Sequence, residues 1–393
     1  MKRTVSMIYY DVSVLPCRSY NKEEVKSALS AVLEPIGGLD FVKDGMTIAI
    51  KAYLVTFAHP EKATTTHPAL ICALIELLAE RGAARVIVGD SPGGLYNATF
   101  LNKVYNVCGL SDAVENAGGE LNRNFGQSEA HFADAKVAHS FTYTSYLDEA
   151  DAIVDFCKLK THGMMGMSAA AKNMFGVIPG TMKPEYHFRY PNSADFARMI
   201  VDIDEYFADK IKLCIADAIV GMEGNGPTQG TPREIGAIVA STSPHKLDLA
   251  CAKIIGLSPD SIPTLGAARE RGLIPESVDG LSVFGDLGSM VIEDYNNVAV
   301  RNSLLFDSKS KFFGKIAKKC LESKPKVKAS ECRGCEKCRQ ICPAQAIVME
   351  NKKPVIDRKK CIKCFCCQEF CPFGAMKVHR PLPAKILIGQ NKK

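Results

Sequence analysis

Over its first 300 residues the chain alternates between short apolar, β-branched runs and stretches with apolar positions every three or four residues. That alternation predicts strands interleaved with helices and a mostly parallel sheet with flanking helices. Thr4–Val12 reads as a strand, and Asn21 as the cap of a helix over Lys22–Leu33 with Glu23 and Glu24 in its first turn. Met46–Val55 is a buried-strand run, and His67–Arg81 is a helix that stops at Gly82. Arg85–Gly89 is a strand that empties into the turn Asp90-Ser91-Pro92-Gly93-Gly94. Further strands are expected at Asp151–Lys158, Lys212–Val220 and Ile235–Ser241, and helices at Ser168–Phe175, Ala194–Phe207 and His245–Ile255. Leu281–Phe284 closes the sheet.

The pattern changes near residue 301. Residues 301–329 form a basic linker in which Phe312, Phe313 and Ile316 share one helical face. This reads as a helix packed on the large domain, or, more sharply, as a membrane-surface helix. Then come two copies of Cys-x2-Cys-x2-Cys-x3-Cys-Pro, Cys332-Cys335-Cys338-Cys342-Pro343 and Cys361-Cys364-Cys367-Cys371-Pro372, with equivalent cysteines 29 positions apart. At this spacing three thiolates close around one iron–sulfur cube and the fourth reaches the other cube. The expected sets are Cys332, Cys335, Cys338 and Cys371 for one 4Fe–4S cluster, and Cys361, Cys364, Cys367 and Cys342 for the second. Paired four-cysteine zinc sites are the competing reading, but zinc modules separate their cysteine pairs by longer spacers. The stretch resembles a bacterial-type ferredoxin over about residues 328–380, with Cys366 as an extra thiol. The expected organisation is an α/β domain over 1–300, the linker over 301–329, a small α+β ferredoxin-like domain over 330–380 and a tail over 381–393.

The length, 393 residues, requires a second and larger core beside the cluster module. No apolar run approaches ~18 residues, so no membrane span is expected, and the N-terminus lacks a secretory pattern. Eight of the sixteen cysteines lie outside the motifs and are scattered, which reads as reduced, buried thiols in the cytoplasm, with oxygen-poor growth. Residues 1–300 carry a net charge of −10 and residues 301–393 a net charge of +16. A basic cluster module beside an acidic domain favours docking of one on the other, or an acidic redox partner. Nucleic acid is not expected, because no aromatic-interleaved basic groove is present.

The large domain has no Walker A loop, Gly-x-Ser-x-Gly or His-Glu-x2-His, and Gly221-x2-Gly224-x-Gly226 lacks the context of a dinucleotide fingerprint. Its informative stretch is Cys157–Ser168. Lys158, Lys160 and His162 follow a strand, Gly163 and Gly166 follow them, and a helix N-terminus suited to an anion comes next. Lys172 and Asn173 extend the polar face. Asp90 with Ser91, the turn Asp217–Thr231 with Glu223, and Lys51 supply further walls at predicted strand ends, where open α/β sheets bind ligands. Each residue also has a plainer reading: Lys158 and Lys160 as solvated strand-end charges, His162 as a loop histidine, Asp90 as a helix cap.

These stretches carry a resemblance. Lys158-Leu159-Lys160-Thr161-His162 with Lys172-Asn173-Met174-Phe175-Gly176, Asp90-Ser91-Pro92-Gly93-Gly94 and Asp217–Pro227 resemble the domain-of-unknown-function 362 family, over about residues 5–290. Members often carry a ferredoxin module. The family often has Lys-Pro-Asn where this chain has Lys51-Ala52-Tyr53. His67–Gly94 is also similar to the N-terminal domain of nickel-pincer lactate racemases, an analogy of fold that carries no function.

The expectation is an iron–sulfur oxidoreductase. A soluble carrier of the ferredoxin or flavodoxin type supplies single electrons. Two 4Fe–4S clusters pass them to a small anionic substrate, or to a further anionic ligand or metal, in the α/β domain. His162 and Lys160 act at that site with Asp90 or Glu223, while Lys158, Lys172, Asn173, Gly163 and Gly166 bind. The alternatives are a non-catalytic electron carrier or cluster-delivery scaffold docked on the α/β domain, and a non-redox enzyme with structural clusters.

Overall fold

The computed structural model describes residues 9–297 and 323–379. The strands of the large domain are β1 (Val12–Pro16), β2 (Thr47–Ala52), β3 (Arg85–Gly89), β4 (Glu120–Leu121), β5 (Gln127–His131), β6 (Ser140–Thr144), β7 (Ala152–His162), β8 (Gly166–Ser168), β9 (Ile211–Glu223), β10 (Thr231–Ser241) and β11 (Val283–Phe284). The helices are α1 (Lys22–Leu33), α2 (Pro68–Glu80), α3 (Ala98–Val107), α4 (Ser111–Asn116), α5 (Ala170–Met174), α6 (Lys183–Arg189), α7 (Ser193–Tyr206), α8 (Pro244–Ile254) and α9 (Pro263–Glu270). The sheet runs β11-β1-β10-β9-β7-β2-β3-β4, with β8 folded back on β7. Its centre, β9-β7-β2-β3-β4, is parallel, whereas β10 is antiparallel to both β9 and β1. It is thus a mostly parallel mixed sheet with flanking helices.

Both faces are covered, which is why β7 is buried along its whole length, its polar residues Asp155, Lys158, Lys160 and His162 included. Val25, Leu29, Leu70 and Leu74 of α1 and α2 pack on one face with Phe156, and Met174, Phe196, Ile200 and Leu247 of α5, α7 and α8 pack on the other with Cys157 and Leu159. Asn21 caps α1, its side-chain oxygen accepting from the amides of Glu23 and Glu24 at 3.1 and 3.3 Å. At α2 the cap is His67, whose Nδ1 accepts from Ala69 N ahead of Pro68.

Several elements differ from the sequence pattern. The first strand begins at Val12, so the part of Thr4–Val12 within the described residues pairs only at its end; residues 1–8 lie outside them. Strand β7 continues four residues beyond Lys158, through His162, because β9 and the returning β8 supply hydrogen-bond partners there. Lys158 and Lys160 are therefore interior to the sheet. The hairpin β5–β6 and helices α3, α4, α6 and α9 were not legible as elements.

Phe312, Phe313 and Ile316, expected on a linker helix, and the tail over 381–393 lie outside the described residues. The cluster module comprises β12 (Lys324–Val327), α10 (Lys337–Gln340), β13 (Ile347–Glu350), β14 (Lys353–Ile356), α11 (Cys366–Glu369) and β15 (Met376–His379). Strand β12, in the stretch read as linker, pairs with β15, so the module's own fold starts there. Its two halves repeat: left-handed backbone occurs at Gly334 and Lys363, at Glu336 and Phe365, and at Gln345 and Gly374, each pair 29 positions apart. Tolerating that conformation at non-glycine positions costs about 1–2 kcal/mol each, and it wraps each loop around its cysteines. No helix among the described residues is long and apolar enough to cross a membrane.

Candidate functional site at the junction of the two domains

Strand β2 lies between β7 and β3. The chain leaves β2 for β3 and β4 on one side, then returns to β7 and β9 on the other. The ends of β2 and β7 are therefore a topological switch point, where connections diverge and open a crevice. A cavity of about 860 Å3 lies at that end. Its sheet-side wall includes Lys51, Asp90, His162, Lys172, Asn173 and Lys183, and the cluster module supplies Glu369, Phe370 and Cys371.

Lys51, fully buried, sits at the centre of the polar wall. Its ammonium lies 2.7 Å from Asp90 Oδ1 and donates to Asn173 Oδ1 at 2.7 Å. Asp90 also accepts from the amides of Leu54 and Ser91, both at 2.8 Å. Asn173 passes the network inward, donating to Asp155 Oδ1 at 2.6 Å. Asp155 is fully buried, and burial pushes its carboxyl up to about 7. The Lys183 ammonium donates to the carbonyls of Ser91 and Ile178, and burial lowers it to about 7.

Lys172 differs from these two lysines. It is 8 % exposed, lies 4.5 Å over the Phe175 ring and has no hydrogen bond or ion pair among the described residues. Burial lowers its ammonium to about 8, against the opposing pull of Glu369. His162 Nδ1 accepts from the amides of Met164 and Met165, both at 3.2 Å, which leaves the proton on Nε2, 3.4 Å from Glu369 Oε1. Burial and Lys172 hold this imidazole well below its usual range, hence neutral.

Other residues singled out in the sequence stand elsewhere. Lys158 is not a solvated charge: its ammonium lies 2.8 Å from Asp217 Oδ2 and 2.9 Å from the Tyr20 hydroxyl, away from the cavity. Lys160 is likewise buried. It donates to the carbonyls of Thr64 at 2.5 Å and Pro227 at 3.0 Å and lies 3.8 Å over the Tyr53 ring. Glu223 accepts from the amide of Asn296 and does not line the cavity. Gly163 faces Phe365 and Val378 of the cluster module, and Gly166 turns the β7–β8 hairpin with φ of 76°. The N-terminus of α5, expected to receive an anion, already holds one, since Ala170 N donates to Asp248 Oδ1 at 2.7 Å. Asp90 is paired with Lys51 while Glu223 is bonded to the amide of Asn296, so the two carboxylates do not share one site.

The sequence reading missed Lys183, His187 and Glu369. Lys183 and His187 are four apart on a helix and share one face, a signal that a short, proline-containing segment hides. Glu369 sits inside the cysteine motif, where the ligands draw the eye.

In the module, Cys332, Cys335, Cys338 and Cys371 line one cavity, and Cys342, Cys361, Cys364 and Cys367 line another. Each set lines its own cavity, as four thiolates around an iron–sulfur cube would. Cys342 Sγ also accepts from Ala346 N at 3.3 Å. Cys366 is buried between two of these cysteines. Among the scattered cysteines, Cys17, Cys108, Cys157, Cys214 and Cys251 are buried and Cys72 is half-buried.

The fold and the cysteine cages define an iron–sulfur protein with an α/β domain, and residues 324–372 match a 4Fe–4S dicluster domain. Residues 48–253, more than half of the chain, match the domain of unknown function DUF362, and the chain belongs to that family. It is 31% identical over 274 residues to a thylakoid-associated protein of Synechocystis sp., a match covering 68% of this chain and 81% of that protein. Two solved structures show a looser likeness, each at 14% identity. The lactate racemase apoprotein from Thermoanaerobacterium thermosaccharolyticum has a TM-score of 0.40 over 64% of this chain and 58% of that one. A protein from Thermotoga maritima has a TM-score of 0.33 over 56% and 55%. The chain thus spans less than two thirds of either structure, and neither likeness bears on what the protein does.

Proposed function

We propose that the protein is an oxidoreductase in which a soluble carrier of the ferredoxin or flavodoxin type charges two 4Fe–4S clusters, which in turn reduce a small anionic substrate in the junction cavity. The clusters are assigned to Cys332, Cys335, Cys338 and Cys371, and to Cys361, Cys364, Cys367 and Cys342. When bound they supply single electrons. The observation that carries this reading is Cys371. It belongs to the first cysteine set and at the same time forms part of the wall of the cavity whose opposite wall holds Lys172 and His162. A substrate there lies against the cluster's own ligand, with no intervening domain.

The remaining roles follow from the residues. Lys172, without a protein partner, attracts the anion. Lys183, lowered to about 7 by burial, holds a proton it can release near neutral pH. His162, neutral, fixed by the two amides on Nδ1 and with Nε2 3.4 Å from Glu369, faces that carboxylate rather than donating a proton to substrate. Lys51 and Asp90 compensate each other and fix the floor. Lys158 and Lys160 hold the sheet end in place. A reducing cytoplasm suits the clusters and the buried thiols.

Purification without oxygen tests the reading. About eight irons per chain are expected from two cubes, with a paramagnetic signal on reduction that disappears when a substrate of the cavity is added. A full complement of iron whose reduced signal persists with every anion offered favours the carrier or scaffold instead.

A further inference from the structure

The cavity has a second unpartnered polar group beside Lys172. His187 of α6 lines it, is 3 % exposed and has no hydrogen-bond partner among the described residues, with its Nδ1 fully enclosed. Its ring stacks on Phe196 at 4.3 Å and 9°, which fixes its plane. Lys172 and His187 flank the same ring, Phe175, at 4.5 Å and 5.7 Å. A buried polar group left without a partner is costly, so two of them around one ring mark a place where a ligand completes the bonding.

The charge inside the cavity limits what that ligand is. Lys51 is neutralised by Asp90 and Lys183 is bonded to backbone carbonyls. Of the three lysines Lys172 alone has no hydrogen bond or ion pair among the described residues, Glu369 of the module acting on it only across the cavity, and burial with Lys172 nearby pushes His187 down to about 3, so it is a neutral donor. One cation and one neutral donor match a monoanion such as a carboxylate better than a phosphate dianion.

The mouth is aromatic. Phe57, 37 % exposed, and Phe100 lie with ring centroids 4.8 Å apart. The consecutive glycines of the Asp90–Gly94 turn make room for this arrangement. A Cβ on Gly93 would stand 2.5 Å from Phe370, and one on Gly94 would stand 2.3 Å from Phe100. Phe370 precedes Cys371, so the aromatic mouth adjoins the first cysteine set. At about 860 Å3 the space far exceeds a small acid and falls in the range of sites for drug-sized ligands.

We propose that the cavity takes a conjugated aromatic carboxylate, its carboxylate held by Lys172 and His187 and its ring seated among Phe57, Phe100 and Phe370. This rests on the oxidoreductase reading and narrows its substrate class. Conjugation suits electrons that arrive singly, because it spreads the unpaired electron after the first transfer. The overall step adds two electrons, one from each reduced cluster, and two protons from solvent across one C=C bond. Each cluster returns to its oxidised state and is recharged by the one-electron carrier.

Cinnamate, its uncharged amide and inorganic phosphate are the probes, titrated calorimetrically into the full chain purified without oxygen. Cinnamate is expected to bind at least tenfold more tightly than cinnamamide or phosphate. Lys172→Met is expected to lose at least tenfold in cinnamate affinity at unchanged iron content, and Phe57→Ala, on the exposed rim, at least threefold. Equal binding of cinnamate and cinnamamide, phosphate binding as tight as cinnamate, or a folded Lys172→Met with unchanged affinity overturns the proposal. Reduced clusters provide a separate readout. Cinnamate that binds as expected without reoxidising them leaves the carboxylate site standing and removes the oxidoreductase reading, whereas reoxidation by maleate together with no cinnamate binding does the reverse.

Discussion

Glu369 Oε1 stands 3.4 Å from His162 Nε2, and this contact joins the last turn of the second cluster helix to the end of strand β7. Around it, the Thr228 hydroxyl donates to the Glu369 carbonyl at 3.3 Å, and the Gln368 side chain donates to the Asn225 carbonyl at 3.0 Å. The helix that carries Cys367 is therefore bonded to the turn between β9 and β10 and abuts the end of β7, and the cluster module is held against the cavity.

Removing that contact should loosen the docking without unfolding either domain. Glu369→Ala removes the carboxylate that stands 3.4 Å from the buried His162 ring and ties the module's last turn to the end of β7. Hydrogen exchange is expected to accelerate in 160–168 and 366–371 while the centre of the sheet stays protected. Unchanged exchange in both segments would show that the module is held by other contacts.

The buried pair of Lys51 and Asp90 should behave asymmetrically. Asp90→Ala strands a fully buried ammonium and is expected to cost about 3–5 kcal/mol in denaturant unfolding of the large domain. Lys51→Met combined with Asp90→Leu removes both charges and should recover much of that loss. A double variant as unstable as the single one would mean that Asp90 matters mainly through its bonds to the amides of Leu54 and Ser91.

Lys172 gives a pH dependence with a definite sign. Its folded value is lowered from 10.5 to about 8 by burial, so the unfolded chain holds this proton more tightly than the folded one. The resulting destabilisation is fully present below about pH 8 and is relieved as the pH rises from 8 towards 10.5. Anion binding in the cavity runs the other way and should weaken as the pH passes through about 8. Titrations at several pH values should show this in the parent, and Lys172→Met should give a flat profile over the same range.

Cysteine substitutions separate ligands from bystanders. Cys335→Ser, at the most exposed position of its set, is expected to lower the iron content from about eight to about four per chain. Cys366→Ser should retain about eight. Iron loss of equal size in both would make Cys366 a ligand.

The pattern of apolar positions placed β3 and helix α1 at their observed bounds and the starts of β2, β7 and β9 within one residue, while missing the far ends of those three strands by three or four residues; a strand's apolar stretch and a capped helix announce a start better than an end. It fell short at β7, where Lys158, Lys160 and His162 looked like a strand end. The stems and ammonium groups of the two lysines are accommodated inside by Asp217, Tyr20 and backbone carbonyls from distant segments, and local pattern carries no trace of such partners. The same holds for the N-terminus of α5, which Asp248 fills from 78 residues away.

What the sequence by itself determined is the chemistry that depends on spacing: two cysteine loops of one length, repeated at 29 residues, and the alternation that makes an α/β sheet. Spacing along the chain fixes which thiols share a loop, since a short loop has few ways to close. Only the tertiary structure decided that β2 and β7 part at a crevice, that Lys172 and His187 meet there around Phe175, and that Cys371 closes the far wall. Those relations join residues up to 320 positions apart, and their proximity comes from packing two cores together, which no local periodicity encodes.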